Sequence, residues 1–439
     1  MEYCRSYSIT NFVEAIDMRV LMFGWEYPPF ISGGLGTACY GLTRGLLRKK
    51  VAITFVVPRL SGAEPRQNLR FINGSTVRIT QENGVLLKRF RMTPIDAFLL
   101  PYMTEDSYKS ALKKAIDEIN EVRPFEEDVA WEHYGPDMCS EVFRYARVGR
   151  IVASREPCDV IHVHDWMTIP AGVEAKDETG KPLVVHIHSL ETDRKFMRLN
   201  ERIYGIERSG MMGADHIITV SHYTKRKIVG EYRIPEEKVS VVHNAVTRSE
   251  WREKLYVNKD DSRKYVLFLG RITSQKGPDY FVEAARKIVL TNPDIHFIMA
   301  GAGDMLDAVK RAVIYCGLEE HVHFTGFLRG SDVERAYAIS DLYVMPSVSE
   351  PFGITALEAV SCDVPVIISK QSGVSEVLKK CPRVDFWNTD VLADTVIEIL
   401  SDDTRRDEIV RACKKELKQL SWQIAAEKII NVYRRLIVI

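Results

Sequence analysis

Two successive series of short apolar runs, each run closed by glycine or a polar residue and followed by a helical pattern, constrain this chain most. In the first, Arg19–Gly24 is apolar and stops at Gly24 ahead of Pro28-Pro29. Leu35, Cys39, Leu42 and Leu46 then recur at helical spacing. Val51–Val57, Cys158–His164, Leu183–His188, His216–Val220 and Lys238–His243 continue the strand pattern. The second series opens at Tyr265–Gly270 and runs through Ile295–Ala300, Val322–Thr325, Leu342–Met345 and Val366–Ile368. Strands alternating with helices make parallel, doubly wound sheets. The fold class predicted is α/β, with two Rossmann-like domains over residues 18–247 and 262–420 and a polar linker within Asn244–Lys264. Gln81–Arg150 is less regular and reads as an insertion or as long helices over the first domain.

A chain of 439 residues is too long for one ordinary core, which agrees with two domains. Sixty basic residues balance sixty acidic ones, which argues against a dedicated nucleic-acid binder. No apolar stretch approaches the ~18 residues of a transmembrane segment. The eight cysteines are scattered, without a Cys-x-x-Cys pair, as in a protein of the reducing cytoplasm. Met1–Asp17 carries both charge signs and lacks a signal peptide's apolar centre. It reads as an extension or a start-site artefact.

The strongest local signal is Glu350-Pro351-Phe352-Gly353-Ile354-Thr355-Ala356-Leu357-Glu358. Here a strand feeds a loop and then a helix, whose N-terminal N–H groups and positive dipole end suit a diphosphate. Gly353 allows close backbone approach, Glu358 can accept from a ribose diol, and Glu350 can hold a sugar. Either carboxylate alone would more often be solvated surface; the nonapeptide as a whole argues for a site. Arg271 and Lys276 lie in the loop after the first strand of the second series, where two fixed cations could stabilise a departing diphosphate. The spacing is not that of a P-loop. Gly33-Gly34-Leu35-Gly36 permits the same close approach in the first domain. Gly301–Asp304 reads equally as a tight turn or a ligand contact.

His162, His164, Asp165, His186 and His188 form an ambiguous cluster. Strand alternation puts each histidine pair on one face. If the strands are neighbours, the imidazoles could converge as in a metal site, or they could be hydrogen-bonded core residues. Asp165 and His188, nearest the crevice, are the better acceptor-side candidates.

Gly33–Gly36, His164-Asp165-Trp166, His186-Ile187-His188, Gly270-Arg271 with Lys276-Gly277, and Glu350–Glu358 occur in this order at strand ends. The set resembles the glycogen and starch synthases and their relatives among retaining GT-B glycosyltransferases, from about Met18 to the C-terminus. The resemblance implies a GT-B architecture: an acceptor-side first domain, a nucleotide-sugar-binding second domain, and a helix over 421–439 crossing back to the first. It implies that Arg271 and Lys276 neutralise the donor diphosphate in place of a metal, so that neither metal nor cofactor is expected. Gly34, Gly353, Ile354 and Thr355 would contact phosphate or sugar, Glu350 the transferred sugar, and Glu358 the ribose. Asp165 and His188 would lie beside the reacting centre. The implied partners are a nucleotide-diphosphate sugar and a glucan or other carbohydrate acceptor.

Two positions depart from the pattern. Ile31 stands where bacterial ADP-glucose-dependent glycogen synthases usually carry Lys, and Gln371-Ser372-Gly373-Val374 replaces a usual Gly-Gly pair. Trp25–Pro29 and Tyr134–Asp137 favour the glucan-synthase side by similarity. The leading expectation is a retaining α-1,4-glucan synthase using ADP- or UDP-glucose. Its competitors are a retaining transferase making a small glucoside, a sugar phosphate conjugate or a glycolipid; a binding regulator without turnover; and a metal-dependent hydrolase using His162, His164, His186 and His188. The donor base, the acceptor and the oligomeric state stay open at this level.

Overall fold

The computed structural model describes residues 18–27, 33–58, 69–73, 138–194, 199–246 and 262–437. Met1–Asp17, Ile31, Tyr134–Asp137 and most of the linker lie outside these residues, as does Gln81–Arg150 apart from Met138–Arg150, which form most of the helix Met138–Ala153.

Seven strands form the first sheet: β1 (Met18–Phe23), β2 (Val51–Val57), β3 (Leu69–Asn73), β4 (Val160–His164), β5 (Leu183–Ile187), β6 (His216–Thr219) and β7 (Val239–Val241). The second has six: β8 (Lys264–Leu269), β9 (Ile295–Ala300), β10 (Val322–Gly326), β11 (Leu342–Met345), β12 (Val366–Ser369) and β13 (Arg383–Val384). Their orders are β3-β2-β1-β4-β5-β6-β7 and β10-β9-β8-β11-β12-β13, parallel throughout. Central strands covered by helices on both faces read as continuous apolar runs, and β5, β9 and β11 are buried along their whole length. β3 and the two-residue β13 were not anticipated from the sequence. Both are edge strands, where one neighbour suffices and the apolar signal is weak.

The helix Trp422–Ile437 follows the second domain yet packs on the helix Gly34–Arg48 of the first. Ala425, Ala426, Ile429, Ile430 and Tyr433 make its buried face. Two glycines let the helices approach. A Cβ on Gly41 would stand 2.0 Å from the Trp422 ring, and one on Gly45 2.4 Å from the Trp422 carbonyl oxygen. Lys49 and Glu427 add an ion pair, and the Tyr433 hydroxyl reaches His162 Nδ1 at 2.5 Å. The apolar interior is consequently continuous from the first sheet through this helix into the second domain. No helix among the described residues is long and apolar enough to cross a membrane.

Candidate active site

Each sheet reverses its strand order once, at β1/β4 and at β8/β11. Helices leave opposite faces there, and the C-terminal strand ends open onto a crevice where ligands bind in such folds. The second-domain crevice carries the loop after β8, with Arg271 and Lys276, and the loop after β11, with Glu350 and Gly353. The first-domain crevice carries Gly34 after β1 and Asp165 after β4.

Within the second domain the predicted residues come together. Lys276 Nζ lies 2.5 Å from Glu350 Oε2, and Ser347 Oγ donates to the same oxygen at 3.1 Å. Arg271 Nη2 donates to Gln275 Oε1 at 2.8 Å, while Gln275 Nε2 donates to the Ser349 carbonyl at 3.0 Å. Both cations are thereby tied to the loop that carries Glu350. Glu350 also forms a parallel bridge with Ser372, its N–H donating to Gln371 O and its carbonyl accepting from Gly373 N, both at 2.9 Å. The Gln371–Val374 departure therefore meets the Glu350 loop through backbone atoms. Gly353, with φ of +105°, opens the helix Ile354–Ser361 without a side-chain cap. Only glycine adopts that conformation readily, and no side chain accepts from the N–H groups of the first turn. The Ile354 side chain is buried in the core, which leaves only its backbone for a ligand. Thr355 Oγ1 is held by the Tyr343 hydroxyl at 2.7 Å. Glu358 Oε2 accepts from the Tyr337 hydroxyl at 3.1 Å; burial raises this carboxyl above its usual range against that bond.

In the first domain Asp165 Oδ1 accepts from the His188 N–H at 2.6 Å and the Ser189 N–H at 3.2 Å. Asp165 is buried with φ of +59°, a left-handed conformation that Asp tolerates better than most residues and that clusters at functional sites. Burial lifts its carboxyl to about 7, although Arg194 and the two N–H donors pull the other way. Gly34 is exposed at the start of its helix. That first turn is capped instead by Glu26, whose Oε1 accepts from the Gly36 N–H at 2.7 Å.

β4 and β5 are neighbours with His164 opposite His186, so the four imidazoles do converge. His162 Nε2 lies 3.2 Å from His186 Nδ1 and His164 Nδ1 3.0 Å from His188 Nε2. Burial brings His162 and His188 down to about 3 and holds His164 and His186 well below the ordinary value, so all four are neutral at pH 7. Two sets could hold a metal ion, Cys39-His164-His188 and His162-His164-His186, each with ligand atoms within 4.8 Å of one another. The imidazoles pair with each other and with Tyr433, rather than with the carboxylates or carbonyls that usually orient metal-ligating histidines.

The two crevices meet through first-domain residues that the sequence did not single out. The short helix Glu191–Arg194 lies against the turn Ser274–Lys276. Ser221 Oγ donates to the Pro351 carbonyl at 2.6 Å. Glu376 accepts from the His222 and Tyr223 N–H groups at 2.9 and 2.6 Å and lies 3.0 Å from His243 Nε2. Ser221 is the N-cap of the helix His222–Gly230, accepting from the Thr224 N–H at 3.0 Å while its own proton goes to Pro351; a serine at a helix start is the local signal that could have pointed there.

Two family models match, "Glycosyl transferases group 1" over residues 248–416 and "Glycosyltransferase Family 4" over residues 112–250. The uncharacterized glycosyltransferase MJ1607 of Methanocaldococcus jannaschii is 30% identical, the match covering 95% of this chain and 98% of that protein. A glycogen synthase of Mycobacterium tuberculosis is 24% identical over 95% of this chain and 94% of its own length. Among solved structures, Anabaena HepE in complex with UDP and glucose superposes with a TM-score of 0.65 at 16% identity, over 95% of this chain and 100% of that one. With two facing parallel-sheet domains and a terminal helix returning to the first, the chain belongs to the group 1 glycosyltransferases of the GT-B fold.

Proposed function

We propose that the protein is a retaining hexosyltransferase that moves glucose from ADP- or UDP-glucose to the end of an α-1,4-glucan. The observation that carries this reading is the Lys276–Glu350 pair beside Arg271 and the uncapped helix Ile354–Ser361. In this reading the cations take the diphosphate, the N–H donors a phosphate and the carboxylate the sugar hydroxyls, all at one crevice. Glu358, partly buried on Tyr337, is the acceptor for the ribose diol. Gly34 supplies an open backbone across the cleft. Likeness to a glycogen synthase over nearly the whole chain supports the glucan acceptor.

In the proposed reaction the bond from the sugar anomeric carbon to the diphosphate oxygen breaks. A bond to the acceptor hydroxyl oxygen forms on the same face. The departing phosphate oxygen takes the hydroxyl proton. Arg271 and Lys276 stabilise the charge that develops on the leaving diphosphate, the role a metal plays elsewhere. In this reading the ring of His188 lies beside the sugar, its backbone N–H held by Asp165 and its Nε2 3.0 Å from His164 Nδ1. No second carboxylate of hydrolase type is needed.

The test is incubation of purified protein with each donor and glycogen, reading released nucleoside diphosphate and glucan length. Transfer with either donor is expected. Absence of transfer with both overturns the substrate assignment; an array of small glucoside, sugar phosphate and lipid acceptors then identifies the true one.

A further inference from the structure

Ser349 stands next to Glu350, and its side chain faces away from its own domain. Its hydroxyl donates to Asp193 Oδ1 at 2.7 Å. It also receives Lys227 Nζ at 3.3 Å and lies 3.0 Å from the Tyr223 hydroxyl. A serine hydroxyl has one proton and two lone pairs. Its capacity is thus filled, and every partner comes from the first domain. Asp193 has a fully buried side chain and pairs with Lys227 Nζ at 2.5 Å. Asp193 Oδ2 accepts from the Leu190 N–H at 2.9 Å, which fixes the loop that follows His188 and Ser189. On the other side the Ser349 carbonyl accepts from Gln275, the residue that holds Arg271.

The grip is therefore connected in both directions. Toward the first domain it runs through Asp193 to the loop whose N–H groups bind Asp165. Toward the second it runs through Ser349 to Glu350, Gln275 and Arg271. These bonds exist only while the domains are apposed. A buried charged pair leaves little freedom for a misplaced hydroxyl, because an unpaired polar group there is costly.

We propose that Ser349, held by Asp193, Lys227 and Tyr223, is a positioning residue that makes placement of Glu350 and the diphosphate cations conditional on domain closure. This rests on the donor site proposed above. Opening the domains would release the Glu350 loop, so donor would bind well only to the closed form and be sheltered there from water.

Ser349→Ala is the direct probe. It removes the hydroxyl and leaves the Asp193–Lys227 pair of the first domain intact. Two measurements on the full chain decide the proposal. Small-angle scattering without ligand should show a larger radius of gyration for Ser349→Ala than for the unaltered protein, with the melting temperature little changed. Calorimetric titration with UDP and with ADP should show the preferred nucleotide binding about tenfold more weakly to the variant, the scale of a hydrogen bond to a charged group. Scattering curves that superpose overturn the proposal, as does unchanged nucleotide affinity. If the unaltered protein binds neither UDP nor ADP, the donor reading fails, and scattering alone still decides the closure device. Should Ser349→Ala not fold, Tyr223→Phe removes one of the three bonds at a half-buried position and is read in the same way.

Discussion

Lys276 Nζ and Glu350 Oε2 face each other at 2.5 Å across the mouth of the second sheet, joined by a hydroxyl from Ser347 on the same oxygen. The pair keeps a carboxylate and a cation ready at a site that must accept a diphosphate and a neutral sugar together. Lys276→Ala and Arg271→Ala are each expected to lower kcat by about 100-fold or more, the effect of removing one electrostatic partner of the transition state. Steady-state kinetics with the active donor checks this. Near-normal turnover in either variant would remove the assigned role.

Glu358 accepts from Tyr337 with one oxygen and is proposed to bind the ribose diol. Glu358→Gln should weaken nucleoside diphosphate binding about tenfold, the value of a hydrogen bond to a charged group. The 2′,3′-dideoxy nucleotide supplies the control. It should bind the variant and the unaltered protein alike, and calorimetry showing a persistent difference would refute the ribose contact.

The four buried imidazoles have folded-state values depressed below the ordinary 6.5 or so of an exposed histidine. Groups of this sign contribute stability above the unfolded value and lose it as the pH falls. With His162 and His188 at about 3, that loss runs from about pH 6.5 down toward 3. Asp165 and Glu207, raised to about 7 by burial, act oppositely and lose their contribution as the pH rises from about 4 to 7. Glu358, also raised by burial, acts with the two carboxyls; four imidazoles still outweigh three carboxyls, so these groups should make the melting temperature climb between pH 4.5 and 6.5. Side-chain NMR should find four imidazoles that do not titrate between pH 8 and 5. An ordinary titration near 6.5 for any of them would contradict their burial.

Helix glycine to alanine ordinarily stabilises by about 0.5–1 kcal/mol. At Gly45 the sign reverses, because a Cβ would stand 2.4 Å from the Trp422 carbonyl oxygen. Gly45→Ala should destabilise by about 1–3 kcal/mol through overpacking. Gly205→Ala, where nothing lies within 4 Å of the added carbon, should be neutral to stabilising. Urea denaturation of both variants provides the comparison. Equal effects would mean that the terminal helix does not sit on Gly34–Arg48.

Most strands were legible in the sequence. Val51–Val57, Ile295–Ala300 and Leu342–Met345 coincide with β2, β9 and β11, because a buried parallel strand announces itself as an unbroken apolar run. The short edge strands β3 and β13 lack that signal. Candidate residues within one loop–helix unit were also legible: Glu350, Gly353 and Glu358 lie within nine positions, where local geometry places them.

By itself, then, the amino-acid sequence determined two α/β domains, their strand ends and the residues clustered at each. Those properties depend on side-chain period and turn chemistry, which act over a few residues. Tertiary structure alone decided which strand ends face one another and which hydroxyl bridges the domains. The imidazoles of β4 and β5 pair because the strands are neighbours in register, which alternation left conditional. Ser349 and Asp193 are 156 positions apart, and their bond exists only because two separately patterned domains pack with complementary, desolvated polar surfaces. No local period records such a contact.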